Sequence, residues 1–131
     1  MMPAYLLPEK IAFEDGQGQR VALDQTHGQR ILLTLGISRI LERESLEVHV
    51  CGSPDGQQWK PLAAFPRKSF CGTYSLTLDL SRHPGVRFLR AEWKMRRWGQ
   101  QESPPLFSFY VWAEEVQSKT LAGGVLTTAG S

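Results

Sequence analysis

Leu46–Val50 alternates apolar with polar residues and runs into Gly52-Ser53-Pro54-Asp55-Gly56, after which come Trp59 and Leu62. Alternation of period two sets Leu46, Val48 and Val50 on one face of a strand and Glu47, His49 and Cys51 on the other. The Pro-Asp-Gly core of the next stretch has a physical reason to turn: proline presets φ, aspartate bonds its own backbone, and glycine takes positive φ freely. A large aromatic three residues past the turn glycine then anchors a new segment. Strand, tight turn and anchored segment together point to an antiparallel β protein.

The same pattern recurs along the chain. Ala4–Phe13 reads as a first strand interrupted by Pro8, Asp15–Gly18 as a turn, Arg20–Asp24 as a short strand and Thr26–Gly28 as another turn. Arg30–Ile37 is apolar on both faces, as a central buried strand is. Ser38–Ser45 reads as a polar connection, too short for a stable helix of its own. Gly72–Leu80 alternates with Tyr74, Leu76, Leu78 and Leu80 inward, and His83-Pro84-Gly85 turns. Val86–Trp98 forms a long arm with Leu89, Ala91, Trp93 and Met95 on one face. Leu106–Glu115 is the last strong strand, with Phe107, Phe109, Val111 and Ala113 together. About eight strands, with turn signals roughly every ten residues, predict an all-β sandwich whose two sheets bury their apolar faces against each other.

The chain of 131 residues is expected to form one domain over 1–117, followed by a flexible Gly-rich tail over 118–131. A domain of this size buries roughly two-thirds of its unfolded surface and needs neither metal nor disulfide framework. The formal net charge of +2 gives no reason to expect nucleic acid as a partner. No run reaches the ~18 apolar residues a membrane helix needs. Met1–Lys10 carries no secretory pattern, so a cytoplasmic location is expected. In that setting Cys51 and Cys71 read as reduced thiols in preference to a disulfide.

Two segments carry a family resemblance. Gly52-Ser53-Pro54-Asp55-Gly56 with Trp59 and Leu62 is similar to the turn region of discoidin-type domains, also called coagulation-factor C-type domains. Val86-Arg87-Phe88-Leu89-Arg90-Ala91-Glu92-Trp93 resembles one of their later strands. The resemblance covers roughly Ile31–Glu115. It implies a jelly-roll sandwich of the galactose-binding-like class: a non-catalytic module that holds glycans, lipid headgroups or proteins in loops at one end. Both segments belong to the scaffold, so no ligand residue is carried over.

Candidate binding residues therefore come from the side chains themselves. Aromatic faces suit the apolar faces of sugars and cations. Trp93 shares its face with Leu89 and Ala91 and belongs to the core, and Trp59 plugs the sandwich edge. Trp98, where a strand gives way to loop, and Trp112, out of phase with Phe109 and Val111, are the exposed candidates. Lys94-Met95-Arg96-Arg97-Trp98, with Arg87 and Arg90, is the one basic concentration. It either recognises an anionic ligand or is a solvated face paired with Glu92, Glu114 and Glu115. Trp98, Arg97, Arg96 and Trp112 are accordingly the candidate ligand-binding set.

Catalytic signals are absent. His27 and His83 sit in turns, His49 lies on a polar strand face, and no nucleophile elbow or phosphate loop occurs. Asp55 is a single acid, where calcium wants six to eight oxygens. The expectation is a non-enzymatic binding module, with no cofactor, for a carbohydrate or other polar surface ligand. The alternative is an interaction protein that docks to a partner, or to itself as a homo-oligomer, through a sheet face or edge strand.

Overall fold

A computed structural model describes residues 3–23, 30–98 and 105–116. The expected turn at Thr26–Gly28, most of the loop after Trp98 and the Gly-rich tail lie outside them. Nine strands occur among the described residues: β1 (Ala4–Ala12), β2 (Gly16–Gln17), β3 (Val21–Ala22), β4 (Arg30–Ile40), β5 (Glu44–Ser53), β6 (Lys60–Lys68), β7 (Gly72–Asp79), β8 (Phe88–Arg97) and β9 (Phe107–Glu115). One sheet runs β1-β9-β4-β7 and the other β2-β8-β5-β6, with β3 also on β8. Every pairing is antiparallel.

With β2 and β3 taken as one interrupted strand, the pairing is nested. First pairs with last (β1·β9), second with next-to-last (β2/β3·β8), then β4·β7 and β5·β6. A long hairpin folded over on itself in this way is a jelly roll. The β-sandwich is as the alternation predicts, and the jelly-roll wrapping is as the discoidin-type resemblance implies.

The alternating residues meet between the layers. Ile31, Leu33, Leu35 and Ile37 of β4 and Phe107, Phe109, Val111 and Ala113 of β9 are buried from one side. Leu46, Val48 and Val50 of β5 and Leu89, Ala91 and Trp93 of β8 are buried from the other. The rings of Trp93 and Phe109 meet edge to face across the layers, with centroids 5.5 Å apart.

Two local readings are corrected, and one segment assigned no element, Lys60–Lys68, proves to be a strand. Asp15–Gly18 is not a plain turn: Gly16 and Gln17 pair with Trp93 and Glu92 as β2. A Cβ at Gly16 would lie 2.7 Å from the Trp93 ring, so only glycine lets this backbone lie on the indole. Ser38–Ser45 is not a polar connection. β4 runs on to Ile40, and a corner at Leu41–Arg43 carries the chain to the other sheet. Lys60–Lys68, where Pro61 and Pro66 masked the strand signal, is β6. It lies at a sheet edge, where proline's missing N–H costs no ladder bond. Pro8 acts in the same way on β1, whose pairing with β9 shifts register between Leu7 and Lys10, the interval that holds it.

The turn after β5 is held as its residues imply. Ser53 Oγ accepts from Gly56 N at 2.7 Å, and Asp55 Oδ1 accepts from Gln57 N at 2.8 Å and Gln58 N at 3.1 Å. Gly56 takes φ of +78°, and a Cβ there would collide with Arg20. Trp59 Nε1 donates to Gly56 O at 3.3 Å, which ties the indole to the turn.

Two outcomes follow. Phe109→Ala removes a ring that touches both layers and is expected to lower unfolding free energy by about 3–5 kcal/mol in a denaturant titration. The backbone N–H groups of Gln58 and Gln57 hold the Asp55 carboxyl below its ordinary 3.8. A depressed folded-state pKa contributes stability above the unfolded value that is lost as pH falls through the folded one. Melting temperature should therefore drop below about pH 4, and D55N should flatten that acid limb.

Candidate functional site

β5 and β8 lie side by side with Ser45 opposite Arg96, Glu47 opposite Lys94, His49 opposite Glu92 and Cys51 opposite Arg90. These residues share the outer face of the five-stranded sheet, since Leu46, Val48 and Val50 point into the core. At the Ser45 end the sheet stops at a corner built around Glu44. This carboxylate is buried and accepts from Leu41 N at 2.8 Å and Leu106 N at 3.4 Å. One side chain thereby joins the β4–β5 corner to the start of β9. Arg43 takes positive φ of 62°, and its carbonyl accepts from Trp98 N at 3.0 Å, which fixes where Trp98 leaves β8.

Three of the four candidate residues come together here. Arg96, Arg97 and Trp98 line one hollow of about 480 Å³ with Arg67, Ser69 and Ser45. Trp98 also borders a second hollow, of about 350 Å³, beside Phe70 and Leu41. Phe70 is 77% exposed and Trp98 49%, so both rings reach solvent from one end of the sandwich. Trp112 does not join them. It is half-buried on the outer face of the four-stranded sheet, where Tyr5 meets it edge-on at 4.7 Å and also meets Tyr110 at 6.0 Å. Arg67, Ser69 and Phe70 were not among the candidates. The run Arg67-Lys68-Ser69-Phe70 was the available signal, a basic and aromatic stretch at a strand end.

The basic concentration divides in two. Arg90 is committed: it bonds Glu92 at 2.9 Å and its guanidinium lies 4.1 Å over the Trp59 ring. Arg67 lies 3.8 Å from Glu47, whose other oxygen is 3.1 Å from His49 Nε2. Lys94 and Arg96 form no ion pair among the described residues.

The two cysteines are free thiols, Cys51 buried and Cys71 exposed. Burial first, then the Glu92 carboxylate, pushes the Cys51 thiol up to about 12. Among the described residues no group of three or more His, Cys, Asp or Glu side chains could hold a metal ion. None of their helices is long and apolar enough to cross a membrane. Comparison with known protein families, curated proteins and solved structures finds no match.

The thiols make a direct check on this geometry. At neutral pH a chromogenic disulfide reagent should titrate one thiol, Cys71, within minutes, because the thiolate is the reactive form. Cys51 should react only on addition of denaturant. Two fast thiols in the folded protein would contradict the burial of Cys51.

Proposed function

We propose that the protein is a non-catalytic jelly-roll binding module that takes a carbohydrate or similar polar ligand at the Trp98 end of the sandwich. The observation that carries this reading is the pairing of two solvent-reaching rings, Trp98 and Phe70, with the guanidinium of Arg96, which has no ion pair among the described residues. A ring offers a flat apolar surface to a sugar face, and a guanidinium offers a fork of donors to hydroxyl or carboxylate oxygens. The position supports the same reading: loops held at one end of a rigid sandwich can present side chains without disturbing the core. The likeness of Gly52–Leu62 and Val86–Trp93 to discoidin-type domains adds to it, since such domains bind through one end.

A glycan array followed by tryptophan-fluorescence titration tests it. Trp98→Ala should weaken any saccharide found by about tenfold, the loss of one aromatic anchor. An array with no binder, or affinity unmoved by Trp98→Ala and Phe70→Ala, would remove the reading.

A second reading has one observation in its favour. Edge strand β1 and the residue just beyond it expose Tyr5, Ile11 and Phe13, each about half accessible. Apolar side chains along an unpaired edge suit docking to a partner or a second copy. Light scattering at high concentration decides the self-association form, which a strict monomer excludes.

A further inference from the structure

The hollow beneath Trp98 does not end at Arg96. A second hollow shares Arg67 and Arg96 with it, and a third shares Asp15 and Lys94 with the second. Set end to end, the three make up a trough along the outer face of the five-stranded sheet. Its floor is every second residue of β5: Ser45, Glu47, His49 and Cys51. Six residue steps of strand make it about 20 Å long. Trp59 and Pro61 wall the far end on the β6 side, and Asp15, Gly16 and Gln17 wall it on the β2 side.

The chemistry of the trough changes along its length: Arg96 stands at the Trp98 end opposite Ser45, Lys94 faces Glu47, and Glu92 faces His49 beyond them. Toward Trp98 lie Lys94 and Arg96, without ion pairs among the described residues, and Arg67, whose link to Glu47 is a loose 3.8 Å. Beneath them Ser45 Oγ is buried and has no hydrogen-bond partner among the described residues. A buried hydroxyl in that state is costly, and a ligand atom that displaces the flexible side chains over it would satisfy it. Three carboxylates also line the trough: Glu47 opposite Lys94, Asp15 beside Met95, and Glu92 opposite His49 further along. Asp15 already accepts from Met95 N at 2.7 Å, and Glu92 holds Arg90. These acids accept from hydroxyl groups and repel a ligand charged at every unit.

We propose that the binding groove runs the length of this trough and holds a linear oligosaccharide that is neutral over most of its length and carries an acidic sugar at the Lys94–Arg96 end. The inference rests on the reading of the Trp98 end as a saccharide site and adds to it a direction, a length and a charge. A polyanion, whether nucleic acid or a heavily sulfated chain, meets Glu47, Asp15 and Glu92 and is disfavoured.

Calorimetric titration with three probe sets tests it: neutral linear oligosaccharides of increasing length, the same chains bearing one uronic acid, and fully sulfated chains. Affinity should rise about tenfold from disaccharide to hexasaccharide. The singly acidic chains should bind more tightly than either the neutral or the sulfated ones. His49→Trp fills the middle of the trough and should abolish the length dependence. Ala64→Tyr, from the residue paired with His49 across β5 and β6, should do the same by an independent plug. Lys94→Ala combined with Arg96→Ala should abolish the preference for the acidic chain. Thermal melting establishes that each variant is folded. Affinity independent of length in the unmodified protein, or length dependence that survives both plugs, overturns the trough while leaving a site at Trp98. Absence of any saccharide binding overturns both.

Discussion

The Trp93 indole is the contact on which most of the molecule depends. It belongs to β8 in one sheet, and its ring edge meets Phe109 of β9 in the other. Its Nε1 donates to Glu14 O at 2.9 Å, and the Gly16 backbone lies against its ring. One side chain thus sets the spacing of the layers, the path of the chain between β1 and β2, and the place of β2 on the sheet. The neighbouring Asp15, whose carboxylate accepts from Met95 N, fastens the same loop. Without these contacts the Asp15–Gln17 wall would have only a two-residue ladder to hold it, which is marginal in water.

The layer architecture was legible because period-two alternation survives in β5, β7, β8 and β9. Leu46, Val48 and Val50, or Phe107, Phe109 and Val111, carry their inward direction in their spacing. What was not legible lay where local chemistry and tertiary context disagree. Gly16-Gln17 looks like turn material, and only the flat Trp93 ring beneath it makes a strand there favourable. Pro61 and Pro66 argue against a strand until β6 is known to be an edge. Ser38–Ser45 looks polar. Even so, Glu44 is buried, because two backbone donors from separate segments converge on its carboxylate. No one-dimensional pattern announces such a convergence.

The candidate site divides along the same line. Trp98, Arg96 and Arg97 could be singled out because they are contiguous and follow a strand. Arg67, Ser69 and Phe70 are brought to them only by the β5–β6 pairing, a contact made through Ser45 on the strand between. Trp112 was singled out beside Trp98 because it is out of phase with Phe109 and Val111, yet it belongs to the other sheet and packs on Tyr5. Phase tells which face of a strand a residue occupies. It does not tell which sheet that face belongs to, and in a sandwich the two outer faces point in opposite directions.

Those two faces differ in kind. The four-stranded sheet presents Tyr5, Tyr110 and Trp112 packed on one another, with Thr34 and Ser75 beside them, 3.5 Å apart. Its aromatic rings partner each other, and its hydroxyls are small. The five-stranded sheet presents long charged side chains over a floor that is short at its two ends, Ser45 and Cys51. Arg67 and Arg96 line one hollow with Ser45, and Arg90 and Pro61 stand either side of Cys51. Tall residues flanking Ser45 and Cys51 make a hollow at each end without any curvature of the sheet. Filling such a hollow with larger floor residues would hide the cations behind apolar bulk. Leaving it open keeps Lys94 and Arg96 hydrated at modest cost, since exposed charges contribute little to stability either way. The arrangement is therefore nearly neutral for folding, and what it provides instead is a directional groove: Arg96 at one end, Lys94 facing Glu47 and then Glu92 through the middle, and the Trp59 indole with Arg90 stacked upon it at the other.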